Sequence, residues 1–148
     1  MKIIEATLDH LSILVPLFDA YRQFYKQESD LDGAEQFLKN NLTHQQATVY
    51  LAFSDTDIPL GFVQLYPTWE SVSMSKRWVL YDLYVAEAGR KKGVGTELMN
   101  RAKQLAQDTG SKYLMLETAT DNYTAQKLYE SLDYQRDNEF YTYILEIV

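Results

Sequence analysis

A mixed α/β sheet domain is the fold class that this sequence predicts, and three observations carry it. Runs rich in β-branched and aromatic residues alternate along the chain with segments of helical period. The longest β run, about residues 78–85, is apolar on both sides in places, as a central strand would be. A glycine-bearing loop and a strongly amphipathic helix follow it directly. The elements read in order β-α-α-β-β-β-α-β-α-β-β.

Ile3 and Ile4 mark a short first strand. Thr7 or Asp9 caps a helix whose Leu11, Leu14, Val15, Phe18 and Tyr21 follow helical spacing. A loop then feeds a second helix, capped by Asp30 or Asp32, with Ala34, Phe37 and Leu38 on its buried side. Two strands follow, about 48–54 and 60–66, joined by a turn at 55–59. After the 78–85 strand, Leu98, Ala102, Leu105 and Ala106 form one apolar stripe, which Gly110 should stop. A buried strand at about 113–118 comes next, then a helix capped by Asp121 or Asn122. Residues 134–148 are expected to form a closing hairpin, with its turn near 136–139. No linker, repeat or low-complexity tract interrupts the chain, so residues 1–148 read as one domain.

Composition narrows the chemistry. The chain has 148 residues, 46% of them hydrophobic, enough for a core without staples. It has no cysteine, which removes disulfides, thiolate metal sites and a cysteine nucleophile. His10 and His44 are too far apart for a histidine metal site, so no metal is expected. With 14 Lys+Arg against 21 Asp+Glu, the net charge of −7 disfavours nucleic acid as a partner. The N-terminal stretch lacks an apolar signal region, and no apolar run approaches the roughly 20 residues of a membrane span. The expectation is a soluble, cytoplasmic protein with no membrane partner.

The informative stretch is the strand ending at Val85, then Arg90, Lys91, Lys92, Gly93, Val94, Gly95 and Thr96, then a helix. Helix N-termini bind anions because their first N–H groups have no partner and the helix dipole adds positive charge. Glycine lets a ligand approach the backbone. Arg90, Lys91 and Lys92 are the densest basic cluster in an acidic chain. A P-loop is excluded, since Thr96 and Glu97 follow Gly95 where a lysine is needed. A dinucleotide fingerprint would need glycine at position 98, which is Leu98.

This pattern resembles the GNAT superfamily of acyl-CoA-dependent N-acetyltransferases. That family's pyrophosphate loop reads Gln/Arg-x-x-Gly-x-Gly/Ala, matched by Arg90, Gly93 and Gly95. A second signature is matched by Asn122, Ala125, Leu128 and Tyr129, with Leu132-Asp133-Tyr134 where the family commonly has Leu-Gly-Phe. Asp133 can take the left-handed turn of that glycine. The resemblance covers essentially the whole chain. It implies a mainly antiparallel central sheet splayed between its fourth and fifth strands and flanked by about four helices. The pantetheine arm of acetyl-CoA would bond to backbone at Leu83 and Val85, past Tyr84. The pyrophosphate would sit on residues 90–96, Asn122 would help fix the pantetheine, and Lys91 or Lys127 would meet the 3′-phosphate.

The implied reaction moves an acetyl group to a primary amine by direct attack in a ternary complex, which the absence of cysteine favours. The Val85 N–H is the natural oxyanion donor, and Tyr129 the candidate acid for the leaving sulfur. Candidate bases are Asp82, Glu117, Glu28, Asp30 and Asp32, with Asp82 the most interesting because it lies on the central strand. Its alternative role is a polar edge residue or a partner to Arg77.

Residues 28–35 hold four carboxylates and no basic residue. With Tyr21, Phe24, Tyr25, Tyr66 and Trp69 as cation–π faces, Glu28 and Asp30 suggest a cationic acceptor, a small amine or a lysine side chain. The alternative is a solvated helix start with acidic residues favourable at its N-terminus. The competing function is an acyl-CoA-binding sensor of the same fold without turnover. Phe140, Tyr141 and Tyr143 either pack on the helices or form a homodimer surface.

Overall fold

Thr7 opens the first helical segment by accepting from the Asp9 N–H, while His10 reaches back to the Thr7 N–H. This reciprocal capping satisfies donors that the helix itself cannot. In the computed structural model, which describes residues 1–148, a short 3₁₀ turn then leads into α1 (Leu11–Phe24). Asp30 caps α2 (Leu31–Thr43) through the Gly33 N–H at 2.9 Å. The remaining elements are β1 (Lys2–Glu5), β2 (Thr48–Phe53), β3 (Pro59–Glu70), β4 (Ser75–Val85), α3 (Val94–Asp108), β5 (Tyr113–Leu116) and α4 (Tyr123–Ser131). They form two compact units, residues 1–117 and 118–148.

In the first unit the five strands lie in sequence order, antiparallel except for the parallel β4–β5 pair. Period-two alternation gives the sheet two different faces. Val49, Leu51, Phe53 and Phe62 pack with Leu14, Leu17, Phe18 and Leu38 of α1 and α2 in one buried cluster. Tyr50 points the other way, where the Arg101 guanidinium of α3 lies 4.2 Å from its ring centre. At the far end of α3, the Trp78 indole donates to Thr109 Oγ1 at 2.8 Å.

Two irregularities in β4 bear on function. Gln64 pairs with Asp82 but Leu65 pairs with Leu80, so Tyr81 is an extra residue and the strand bulges there. Just before the bulge β5 ends: its ladder joins Arg77 to Tyr113 and stops at Leu80 with Leu116. Residues 81–85 of β4 therefore run on with β3 alone beside them. This is the parting of the fourth and fifth strands that the family resemblance implies, and β5 ends two residues earlier than the sequence suggests.

In the second unit Asn122 accepts from the Ala125 N–H at 3.2 Å and caps α4. The helix ends with Asp133 at φ 69°, the left-handed turn that the sequence anticipates there. The Tyr134 N–H reaches back to the Tyr129 carbonyl at 3.0 Å and closes that turn.

One expectation fails outright. Residues 134–148 do not form a hairpin, and no strand follows α4. Their composition favours a pleated, half-buried surface, but propensity alone does not make a strand.

Candidate active site

The open end of β4 has a definite polarity. The Ala86 N–H donates to the Leu60 carbonyl of β3 at 2.8 Å. In an antiparallel strand, backbone groups alternate sides along the chain. Tyr84, like Ala86, therefore faces β3, and the N–H and C=O groups of Leu83 and Val85 face the side that β5 has left. These are the backbone groups that the family resemblance implies for an extended ligand. The Arg90 side chain reaches the same edge, its Nε donating to the Val85 carbonyl at 3.4 Å.

The chain continues through a 3₁₀ turn (Glu87–Gly89) into the basic loop and α3. Lys91 and Gly93 both have positive φ, 60° and 78°. Gly93 is the N-terminal cap of α3, and no side chain caps the helix in its place. The first ladder bond runs from Glu97 to Gly93, so the N–H groups of Val94, Gly95 and Thr96 precede it and belong to the unpaired first turn. A Cβ on Gly93 would meet nothing within 4 Å. The left-handed cap thus opens onto free space, with Lys91 and Lys92 exposed beside it. Open backbone donors, a bare glycine and basic side chains fit a diphosphate chemically.

Asp82 does not pair with Arg77. It lies on the α1/α2 face, 7% exposed, where Gln64 Nε2 donates to its Oδ2 at 2.7 Å. The Tyr21 hydroxyl bonds the same carboxylate. Gln64 in turn accepts from Asn41 Nδ2 at 3.2 Å, and Asn41 also donates to the Tyr66 hydroxyl at 3.3 Å. Four elements, α1, α2, β3 and β4, thus supply one buried polar chain. Burial pushes the Asp82 carboxyl up, and the bonds from Gln64 and Tyr21 offset this only in part. The Tyr66 phenol is pushed up to about 12, first by burial and then by the Asp82 charge, so it stays neutral. Its ring lies 5.5 Å from that of Tyr81.

A carboxyl raised by burial, on the strand beside the open edge, has the character of a general base. Its sign is testable. A raised native value means that the ionised form costs stability above that value, and that the cost vanishes below the ordinary value of 3.8. An Asp82→Asn variant should therefore gain stability relative to the parent as pH rises from 3 to 8. Melting curves at several pH values check this, and a constant difference would show that Asp82 does not titrate in this way. If Asp82 takes a proton in turnover, the variant also loses about 10²-fold in kcat together with the acid limb of the rate profile.

The first inter-helix region is less simple than its sequence. Glu28 is exposed, and its carbonyl accepts from Arg22 Nη1 at 3.2 Å. Arg22, Asp30, Gly33 and Ala34 line a cavity of about 290 Å³ with Phe18 and Phe37. A guanidinium from α1 therefore reaches the backbone of the acidic loop and shares a cavity with Asp30. Tyr25 ends α1 with its ring 5.1 Å from Tyr21. The loop is held by Asp19, which is buried and accepts from Ser29 Oγ at 2.7 Å and the Asp30 N–H at 2.8 Å. Ser29 and the Asp30 N–H, the two largest influences, hold its carboxyl below the usual range.

Glu117 is exposed just beyond β5. Asn122, Lys127 and Tyr129 all belong to the second unit. The Asn122 carbonyl oxygen is used as the α4 cap, which leaves its NH₂ for other partners. Tyr129 is half-buried, its ring 6.2 Å from Tyr134. Burial, with Tyr129 adding, pushes the Tyr134 phenol up to about 12. Asp19, Arg22, Asn41 and Gln64 are the positions that sequence reasoning does not single out. Their only signal is a polar side chain within a stretch of apolar period.

No three His, Asp or Glu side chains gather closely enough to hold a metal ion. No helix is long and apolar enough to cross a membrane.

Comparison with known proteins points one way. The model of the acetyltransferase (GNAT) family matches residues 14–134. The Bacillus subtilis protein called uncharacterized N-acetyltransferase YhfO is 41% identical, over 99% of this chain and 98% of its own. The thialysine N-epsilon-acetyltransferase of Caenorhabditis elegans is 25% identical, over 90% of this chain and 82% of its own. Among solved structures, a probable acetyltransferase superposes with a TM-score of 0.95 at 42% identity, covering 100% of this chain and 99% of that one.

Proposed function

The chain belongs to the GNAT acetyltransferase family, and from that premise we propose that it transfers an acetyl group from acetyl-CoA to a primary amine by direct attack in a ternary complex. The observation that carries the placement is the five-residue run of β4, 81–85, left without β5 and leading into the bare N-terminus of α3. In this reading residues 1–148 work as one domain. Leu83 and Val85 hold the pantetheine as an added strand would be held, with Tyr84 between them. The N–H groups of residues 93–96 take the pyrophosphate, with Arg90 and Lys92 beside it. The NH₂ of Asn122 orients the pantetheine, and Lys91 or Lys127 meets the 3′-phosphate.

Each step then has a residue. The Val85 N–H stabilises charge developing on the acyl oxygen, because a strand amide is already fixed in direction. Asp82 accepts the proton that the incoming ammonium must lose, directly or through water. Tyr129 supplies a proton to the sulfur as the carbon–sulfur bond breaks. Glu117 is the second-choice base, at the mouth of the parted strands. A homodimer and a cytoplasmic location belong to the same proposal.

The acceptor is proposed to be a cationic small amine or a lysine side chain, drawn by Glu28 and Asp30 and faced by Tyr25 and Tyr66. Arg22 reduces that field and the Asp30 cap occupies one carboxylate oxygen, so Glu28 carries more of the attraction. A thiol-release assay with cationic and neutral amines tests this. The parent should prefer cationic amines, and Glu28→Ala should raise KM for them about 5- to 10-fold, the value of one or two modest charge contacts. Equal rates on both classes would remove the cationic acceptor from the account.

A further inference from the structure

The polar chain that ends on Asp82 has a direction. Gln64 and Asp82 face each other across β3 and β4, beside the bulge at Tyr81. Asn41 of α2 stands behind Gln64. All three side chains are buried, that of Gln64 completely. Leu38, one turn before Asn41, and Phe62, two residues before Gln64, are core residues of the same face. A leucine at either polar position would match that pattern, and a buried amide costs stability unless it is paired. The two amides therefore need a reason beyond packing.

Their hydrogen bonds supply one. Gln64 has two polar ends and a different neighbour for each. Its Oε1 accepts from Asn41 Nδ2 at 3.2 Å, which leaves Nε2 to donate to Asp82 Oδ2 at 2.7 Å. An ionised carboxylate only accepts, so a Gln64 amide turned the other way would set oxygen against oxygen. Asn41 holds it from turning, and shares its NH₂ with the Tyr66 hydroxyl at 3.3 Å. Bonds in such a chain polarise one another, which strengthens the last donor.

We propose that Asn41 is a positioning residue for acetyl transfer: it fixes the Gln64 amide with its donor toward Asp82 and so favours the ionised carboxylate that can take a proton. The proposal rests on Asp82 accepting the proton of the incoming ammonium, and it does not depend on which amine arrives. Few groups face Asp82. α1 presents the Tyr21 phenol, β3 presents Gln64 and the Tyr66 phenol, and α2 presents Asn41 behind them. Asp82 has no ion pair. Gln64 and Tyr21 are thus the donors that oppose burial, and Asn41 governs the first of them.

Asn41→Leu tests this, because leucine is close in size and brings neither donor nor charge. Carbon-13 NMR follows the carboxyl groups, with the Asp82 signal assigned by its loss in Asp82→Asn. The Asp82 midpoint should lie about one pH unit higher in Asn41→Leu than in the parent, a tenfold change. Asn40→Leu, at an exposed neighbour on α2, should leave it in place. The acid limb of kcat should rise with the midpoint in Asn41→Leu, while KM for acetyl-CoA stays. An unmoved midpoint overturns the proposal, whatever the turnover. A midpoint that moves while the acid limb does not supports the positioning and counts against Asp82 as the base alone. Should Asn41→Leu misfold, the parent decides. Its Gln64 side-chain NH₂ signal should shift with the Asp82 midpoint. A Gln64 NH₂ signal indifferent to that titration means that the amide faces the other way, and overturns the proposal too.

Discussion

Gly93→Val is expected to weaken acetyl-CoA binding by roughly 30- to 150-fold, the loss of one or two charge-assisted contacts worth about 2–3 kcal/mol. The cause is local. Gly93 has φ 78°, a region that costs an L-residue ~1–2 kcal/mol and a β-branched one more. Relief of that strain would turn the first amides of α3 away from a common ligand. The added methyls would also fill the open space in front of them. Strain alone can be separated from ligand exclusion, because Gly110 provides a matched control. It has φ 70°, it too has nothing within 4 Å of a built Cβ, and it lies at the other end of α3. Gly110→Val should lose similar stability by thermal melting and keep its affinity by calorimetry. Equal affinity losses in the two variants would mean that the α3 N-terminus is not where the coenzyme binds.

Tyr129→Phe is expected to lower kcat about 10²-fold, within the usual range for a positioned acid, while leaving acetyl-CoA affinity intact. A phenol with an ordinary value near 10 is a weak acid, so its use depends on being held toward the sulfur as the thiolate leaves. Removing one hydroxyl changes little packing, which makes the substitution a clean probe. Tyr134→Phe is the companion. The Tyr134 hydroxyl is buried without a hydrogen-bond partner, so its loss should leave turnover unchanged and stability equal or higher. Parent-like turnover in Tyr129→Phe would remove that residue from the chemistry, whereas no turnover in the parent itself would favour a non-catalytic acyl-CoA sensor.

Much of the frame was legible in the sequence because it is set by local chemistry. Thr7, Asp30, Asn122, Gly93 and Gly110 all act at helix ends as their side chains, or lack of one, dictate. Asp133 takes the left-handed turn of the glycine it replaces. The 78–85 run has a strand on both sides only from 78 to 80 and β3 alone beside it from 81 to 85, so its two-sided apolar pattern marks a central strand for its first part. Long-range features were not legible. The bulge at Tyr81 depends on the register between β3 and β4, which no residue near it announces. The partner of Asp82 proved to be Gln64, 18 positions away, and not the nearby Arg77. The expected hairpin failed for the complementary reason. Propensity in residues 134–148 describes what the segment suits, while pairing needs a partner that sequence alone does not place.

The central claim is that the parted end of β4 and the N-terminus of α3 form one acyl-CoA cleft. A crystal structure of the protein with coenzyme A bound tests it most directly. The account predicts pyrophosphate oxygens on the N–H groups of residues 93–96, and the pantetheine paired with the backbone of Leu83 and Val85. Coenzyme bound elsewhere, or a ligand that leaves the backbone of residues 83–85 untouched, would contradict it.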